Sequence, residues 1–293
     1  MSSIAIIGAT GMLGQPVTQA FLKANRDATN FSVRIIARHV AKADVMFPGA
    51  EVVEGDMRDR ASLVNGLQGM DAVYLNLSVA QTEKQSDFHT ESQGLVNLIQ
   101  AAHEAGVQRI GYLSSIIMRY QGTNGYRWWV FNVKQAAVKL IKESGIPYSL
   151  FYPSCFMDSL AQTQRAGRFI LLVGRSEVRP WYVAGEDYGR QVVEAFRLAQ
   201  PGQHQEYVIQ GPEAMTQHEA AQRFVTAYKK EKLSVLTTPS WLMQLGRPFS
   251  TQADYGWHIT EALNKYPETF EAKRTWADLG KPQMTIEQFA LGK

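Results

Sequence analysis

Three groups of residues have the types and spacing to do chemistry. The first is Ile4-Ala5-Ile6-Ile7-Gly8-Ala9-Thr10-Gly11-Met12-Leu13-Gly14, a short apolar run that ends in a glycine-punctuated turn and passes at once into an amphipathic pattern. Gly8 suits the tight turn off a strand, Gly11 lets a pyrophosphate approach the backbone, and Gly14 lets the following helix pack closely on the strand. Pro16 falls in the first helical turn, where a missing N–H does no harm. The free N–H groups and positive dipole end of that helix then face the phosphates. The same glycines would serve an ordinary strand-to-helix turn. What favours a nucleotide is their place, directly after the first strand and directly before a helix.

The second group selects the nucleotide. An acidic side chain after the second strand would bind the adenosine 2′- and 3′-hydroxyls, but the sequence gives Ile35-Ile36-Ala37-Arg38-His39. A guanidinium there attracts a 2′-phosphate and can stack on adenine, so Arg38 predicts NADP(H) in preference to NAD(H). The competing reading is a surface arginine on a loop. Lys42 could add charge or could simply be solvated. After the third strand comes Gly55-Asp56-Met57-Arg58-Asp59. Asp56 could accept from the adenine amino group, while Asp59 is more simply a helix N-cap.

The third group centres on Lys134. At helical spacing its neighbours are Val130, Phe131, Ala137 and Val138, all apolar, so the lysine lies on or beside a buried stripe. An amine aimed at a core needs a partner, and a bound ribose would supply hydroxyls. The alternative is a lysine that snorkels its head to water. Lys139, among Gln135, Ala136, Lys142 and Glu143, should be solvated.

These groups need elements to hold them. Apolar strand-like runs at Ile4–Ile7, Ser32–Ala37, Glu51–Glu54, Ala72–Leu77, Arg109–Ser114 and Tyr148–Tyr152 alternate with helical patterns near 12–25, 59–68, 87–105 and 127–144. That alternation predicts an α/β chain: a Rossmann-like, doubly wound parallel sheet with helices on both faces. After Pro153 the rhythm weakens into a helix near 187–199, a strand at Gln205–Gln210, a helix near 216–230 with a capping box at Thr216 and Glu219, and a tail of short helices. The expected division is a nucleotide-binding domain over 1–153 and a smaller, mainly helical substrate portion over 154–293, some of whose elements rejoin the first domain. The substrate cleft falls between them, beyond the carboxyl ends of the strands.

Composition narrows the partners. A net charge of +3 is too small to argue for nucleic acid. One cysteine, Cys155, excludes an internal disulfide framework and fits a reducing compartment. No run approaches a membrane span, and the N-terminus enters a strand without a leader-like segment, so a cytoplasmic location is expected. The histidines at 39, 89, 103, 204, 218 and 258 lack ligand spacing, so no metal is expected. A small-molecule substrate is the expected partner, and a homo-oligomer stays open.

Taken in order, Gly8 to Gly14, Ala37-Arg38, Glu54 to Asp59, Leu75-Asn76-Leu77-Ser78, Tyr112-Leu113-Ser114-Ser115, Lys134 and Tyr152-Pro153-Ser154-Cys155-Phe156-Met157 resemble the NmrA-like branch of the atypical short-chain dehydrogenase/reductase superfamily. Fainter echoes occur at Glu186-Asp187-Tyr188-Gly189 and Gly211-Pro212. The resemblance implies an NAD(P) site drawing on Thr10, Met12, Leu13 and Met57 beside the glycines, Arg38, Asp56 and Lys134. It implies Leu77 and Ser78 near the ribose–nicotinamide half, and Pro153 and Phe156 bordering nicotinamide or substrate. The wider superfamily carries a tyrosine four residues before the lysine, where this chain has Val130, which cannot donate a proton. Lys134, directly or through water, is then the first candidate proton donor, with Tyr120 or Tyr126 as substitutes on a nearby loop. Ser114 and Ser115 could orient a substrate oxygen or satisfy the strand end. The first functional expectation is an NADPH-dependent oxidoreductase acting on a small apolar acceptor such as a quinone or an unsaturated carbonyl compound. The second is a non-catalytic NADP(H) redox sensor, and sugar-nucleotide epimerase or dehydratase chemistry is weaker because it leans on the missing tyrosine.

Overall fold

The computed structural model describes residues 3–26 and 31–292. In chain order the strands are β1 (Ser3–Ile7), β2 (Ser32–Ala37), β3 (Glu51–Glu54), β4 (Ala72–Leu75), β5 (Arg109–Leu113), β6 (Tyr148–Pro153), β7 (Arg165–Ala166), β8 (Phe169–Val173), β9 (Trp181–Tyr182), β10 (Gln205–Ile209), β11 (Glu213–Ala214) and β12 (Ser234–Thr238). The helices are α1 (Gly14–Arg26), α2 (Val40–Met46), α3 (Arg60–Leu67), α4 (Leu95–Glu104), α5 (Trp129–Glu143), α6 (Asp158–Ala161), α7 (Gly185–Leu198), α8 (Gln217–Ala227), α9 (Ser240–Gly246), α10 (Thr251–Lys265), α11 (Lys273–Leu279) and α12 (Ile286–Leu291).

Seven strands form one parallel sheet in the order β10-β6-β5-β4-β1-β2-β3. The fold is the expected Rossmann-like α/β arrangement. Strands β1, β4, β5 and β6 are buried along almost their whole length, which is why they read as continuous apolar runs rather than alternating ones. One face packs under α3, α4 and α5 through residues such as Leu63, Leu98, Phe131 and Ile141. The other packs under α1 and α7 through Phe21, Tyr188 and Phe196. The sequence order of strands reverses between β1 and β4, so a crevice opens at their carboxyl ends.

Two elements from the second half join this sheet. Strand β10 extends its edge beside β6, and α7 lies against α1 so closely that a Cβ on Gly189 would meet the Pro16 carbonyl at 2.7 Å. The remainder has its own core of Leu160, Leu172, Phe224 and Phe289. There β8 runs between β7 and β12, and β9 pairs with β11. The tail was expected as helices alone, yet Ser234–Thr238 is a strand parallel to β8. Its β-branched Val235, Thr237 and Thr238 suit a strand, but the partner is far away in sequence.

The fully buried Arg109 fastens the β10 edge. Its Nη1 donates to the Tyr148 carbonyl (2.9 Å) and Ser149 Oγ (3.1 Å), and its Nη2 donates to the carbonyls of Gln200 (2.9 Å) and Gln203 (2.7 Å). An Arg109→Met variant is expected to lose about 1–3 kcal/mol of stability, since four acceptors lose a donor. Hydrogen exchange should show the loss as faster exchange concentrated in β10 and the turn before it. Unchanged protection there would contradict this account.

Candidate cofactor crevice and acceptor cavity

The glycine turn has the geometry its residue types imply. Gly8 sits at φ +82°, and a Cβ on it would lie 2.2 Å from the Asn76 carbonyl oxygen. A Cβ on Gly14 would lie 1.9 Å from the Gly8 carbonyl oxygen, so α1 can start here only with glycine. Gly11 differs, because its nearest neighbours would be the Gly8 oxygen at 3.3 Å and Asn76 Nδ2 at 3.4 Å. Packing thus explains the outer two glycines fully and the middle one only weakly. The turn closes through Gly11 N–H to the Gly8 carbonyl at 3.1 Å, and α1 is tied in by Gln15 N–H to the Gly11 carbonyl at 3.0 Å. Met12 and Leu13 are half-buried in the same loop.

A cavity of about 290 Å³ opens over the carboxyl ends of β1, β2, β3 and β4. It brings together Gly8, Thr10, Arg38, Asp56, Met57, Leu77 and Ser78. Arg38, His39 and Lys42 stand exposed at its edge, and Arg38 makes no ion pair or hydrogen bond among the described residues. Asp56 Oδ1 accepts from the Arg58 N–H at 2.9 Å and so shapes its own loop as well as lining the cavity. Asp59 caps α3 by accepting from the Ala61 N–H. Asn76, also in the lining, leaves its Oδ1 buried without a partner among the described residues. A free cation, an orphaned acceptor and a glycine turn at the cavity floor all fit a dinucleotide.

Lys134 lies beyond this cavity and has a partner that the sequence reading missed. Its Nζ donates to Glu91 Oε1 at 2.8 Å, with the lysine side chain 12% exposed and the glutamate 0%. The Tyr112 hydroxyl donates to the same oxygen, and the Val79 N–H donates to Oε2 at 3.1 Å. Burial, then the Glu91 charge, push the Tyr112 hydroxyl well above its ordinary range. Glu91 sits in a π-helical turn, Thr90–Gly94, ahead of α4. Such turns are frequent at functional sites. The sequence signal was weak, since Phe88 and Leu95 flank Glu91 at helical spacing but so do Asp87 and Gly94.

Val130 is buried in the core, as its apolar neighbours predict. Neither substitute tyrosine reaches open space. Tyr120 and Tyr126 are both buried against each other, and the Tyr126 hydroxyl donates to the His258 carbonyl at 2.9 Å. Trp128 stacks on His258 and packs against Tyr255, so it helps to hold α10. Tyr255 itself lies beside Ser78. Burial foremost, and then the charges of Glu91 and Glu83, push it up to about 12.

A second cavity, of about 180 Å³, lies at the carboxyl ends of β5 and β6. Ser115, Ile116, Ser154 and Phe156 form its sheet side, and Ile259 and Leu263 of α10 cover it. Pro153 closes β6 beneath it, and Ser114 is buried with its Oγ toward Met118 Sδ at 3.5 Å. Glu268 is the carboxyl group in this lining. Its Oε2 accepts from Ser154 Oγ at 2.7 Å, and its Oε1 accepts from Gln210 Nε2 at 2.7 Å. Burial pushes this carboxyl above the usual range, against the lowering effect of those donors. Nothing around Glu268 in the sequence marked it, because Tyr266-Pro267-Glu268-Thr269 has no periodicity.

Among the described residues, no group of three or more His, Cys, Asp or Glu is placed to hold a metal ion, and no helix is long and apolar enough to cross a membrane.

The sequence pattern of the NmrA-like family matches residues 1–253. The chain belongs to that family. Among similar NmrA-like and related proteins, a (4-alkanoyl-5-oxo-2,5-dihydrofuran-3-yl)methyl phosphate reductase of Streptomyces griseus is 29% identical over 74% of this chain and 70% of its own length. The phenylcoumaran benzylic ether reductase PT1 of Pinus taeda is 29% identical over 66% of this chain and 64% of its own. Quinone oxidoreductase 2 of Escherichia coli is 28% identical over 60% of this chain, and the match spans 58% of that protein. Among solved structures, an NADPH-dependent quinone oxidoreductase of Escherichia coli complexed with NADPH superposes with a TM-score of 0.70 at 21% identity, covering 98% of each chain. A triphenylmethane reductase of Citrobacter sp. complexed with NADP(H) gives 0.70 at 19% identity, also over 98% of each.

Proposed function

We propose that this NmrA-like chain is an NADPH-dependent oxidoreductase acting on a small apolar acceptor that carries a carbonyl oxygen, such as a quinone or an unsaturated carbonyl compound. The observation that carries the reading is the placement of two cavities at the carboxyl ends of one sheet's strands, one with a free arginine and one largely apolar. The nicotinamide cofactor, when bound, supplies the hydride; the protein supplies position and electrostatics. The glycine turn, with Thr10, Met12 and Leu13, takes the diphosphate, and Arg38 takes the 2′-phosphate. Asp56 and Met57 border the adenosine. Leu77, Ser78, Pro153 and Phe156 lead toward the acceptor. Reductase relatives and NADPH-bound structural neighbours support the reading.

Lys134 is assigned to holding ribose hydroxyls. Losing its proton would leave the buried Glu91 carboxylate without a counterion, which disfavours Lys134 as the acid. A second reading, an NADP(H) sensor without turnover, is favoured by the buried valine at 130. The test is to measure NADPH affinity and then follow NADPH consumption against a panel of quinones, enones and aldehydes. Turnover concentrated among quinones and enones is expected. Tight NADPH binding with no turnover anywhere in the panel would overturn the enzyme reading in favour of the sensor.

A further inference from the structure

We propose that Ser154 and Glu268 form the proton-delivery pair of the apolar cavity, Ser154 handing its hydroxyl proton to the acceptor oxygen and Glu268 replacing it. The inference rests on the oxidoreductase reading above.

The hydrogen-bond inventory carries it. Ser154 Oγ accepts from the Trp181 N–H at 3.1 Å and donates to Glu268 Oε2 at 2.7 Å. Gln210 Nε2 holds the other carboxyl oxygen at 2.7 Å and is itself fixed by the Thr269 carbonyl at 2.8 Å. A serine oxygen has one proton and two lone pairs. With Glu268 ionised, the Ser154 proton is spent on the carboxylate. With Glu268 protonated, the carboxyl O–H donates to the second Ser154 lone pair, the first being held by Trp181. The Ser154 proton is then released toward the cavity, whose wall includes Phe156, Ile259 and Leu263 and offers it no other anion. The pair therefore has two settings, and the one with the extra proton presents a donor to an oxygen-bearing guest.

The surroundings favour that setting. Cys155, Tyr182 and Tyr266 face Glu268, and burial holds the first two of these groups protonated well above their ordinary ranges. Glu271 also acts on it, and both oxygens of Glu271 are held by Arg119 at 2.9 Å. No cation is paired with Glu268 among the described residues, and burial outweighs the lowering effect of the donors from Gln210, Ser154 and the Trp181 N–H.

The step balances. Two electrons and a hydrogen arrive as hydride, and the carbonyl π pair moves onto the acceptor oxygen. That oxygen takes the Ser154 proton while Ser154 takes the one from Glu268. The carboxylate left behind regains a proton from water, so the sum is NADPH, H⁺ and oxidised acceptor giving NADP⁺ and reduced acceptor. Ser154 touches the acceptor, and Glu268 acts through it.

The test uses Glu268→Gln and Ser154→Ala, each checked for unchanged melting. Without any cofactor, an infrared pH titration should show a protonated carboxyl band in the wild type. The band should persist above the usual carboxylate range, shift when phenol fills the cavity, vanish in E268Q and remain in S154A. Unfolding free energy should point the same way. A carboxyl with a raised folded pKa binds more protons folded than unfolded, so wild-type stability relative to E268Q should fall as pH rises through that range. With NADPH and menadione, E268Q should lower kcat by about 100-fold, leave the NADPH KM unchanged and lose the high-pH decline of the wild type. A wild-type Glu268 that titrates like an exposed carboxylate, or an E268Q enzyme with wild-type kcat and pH profile, overturns the relay while leaving the oxidoreductase reading intact. Absence of wild-type turnover with every acceptor overturns the oxidoreductase reading, and the relay falls with it.

Discussion

Glu91→Ala is expected to lower the free energy of unfolding by about 3–5 kcal/mol, because removing one partner of a buried ion pair leaves the other charge uncompensated. The glutamate is wholly enclosed and serves three donors: Lys134, the Tyr112 hydroxyl and the Val79 N–H. Alanine orphans all three. Lys134→Met should also be destabilising, since it takes the paired cation from a wholly enclosed carboxylate, although that carboxylate keeps two hydrogen bonds. Glu91→Leu combined with Lys134→Met should be more stable than Glu91→Ala alone, as buried pairs replaced by apolar side chains often are. Urea unfolding of the set measures this. Single variants both within about 1 kcal/mol of wild type would show that the pair behaves like an exposed one and would contradict the account. Because the Val79 bond anchors the loop that leaves β4, Glu91→Ala should also weaken NADPH binding.

Arg38→Ala should weaken NADPH binding by roughly 30- to 150-fold, the equivalent of about 2–3 kcal/mol for charge-assisted hydrogen bonds to a phosphate. NADH should be nearly unaffected, because it lacks the 2′-phosphate. The guanidinium stands exposed at the cavity edge with no ion pair among the described residues, so its loss costs the fold little. His39 and Lys42 stand beside it and should keep part of the preference. Raising salt should narrow the gap between the two cofactors in the wild type, since these charges are exposed. Equal loss of NADPH and NADH affinity in Arg38→Ala would contradict the assignment.

Much of this was legible in the sequence because the chemistry and the local pattern coincide. The bounds of β2 and β3 match the expected Ser32–Ala37 and Glu51–Glu54, where β-branched Val33, Ile35, Ile36, Val52 and Val53 favour strands. The Thr216 and Glu219 capping box is present in full. Gly8 and Gly14 announced a turn that no other residue could make. What stayed hidden depends on distant partners. Helix α2 is short and shows only Ala43 buried, so no period marks it. Strand β9 pairs with β11, and β8 with β12, across long gaps in sequence. Lys134 could be placed on a buried stripe, but its partner comes from another element 43 residues away, and hydrogen-bond partners leave no mark in local periodicity. Glu268 follows a proline after α10 and reaches Ser154 across 114 residues, so only the folded chain brings them together.

The most direct test of the central claim is a calorimetric titration of the unmodified chain with NADPH and, separately, with NADH. The account predicts one NADPH per chain, bound markedly more tightly than NADH, with the preference shrinking as salt is raised. No detectable binding of either dinucleotide, or equal affinity for both at low salt, would contradict it.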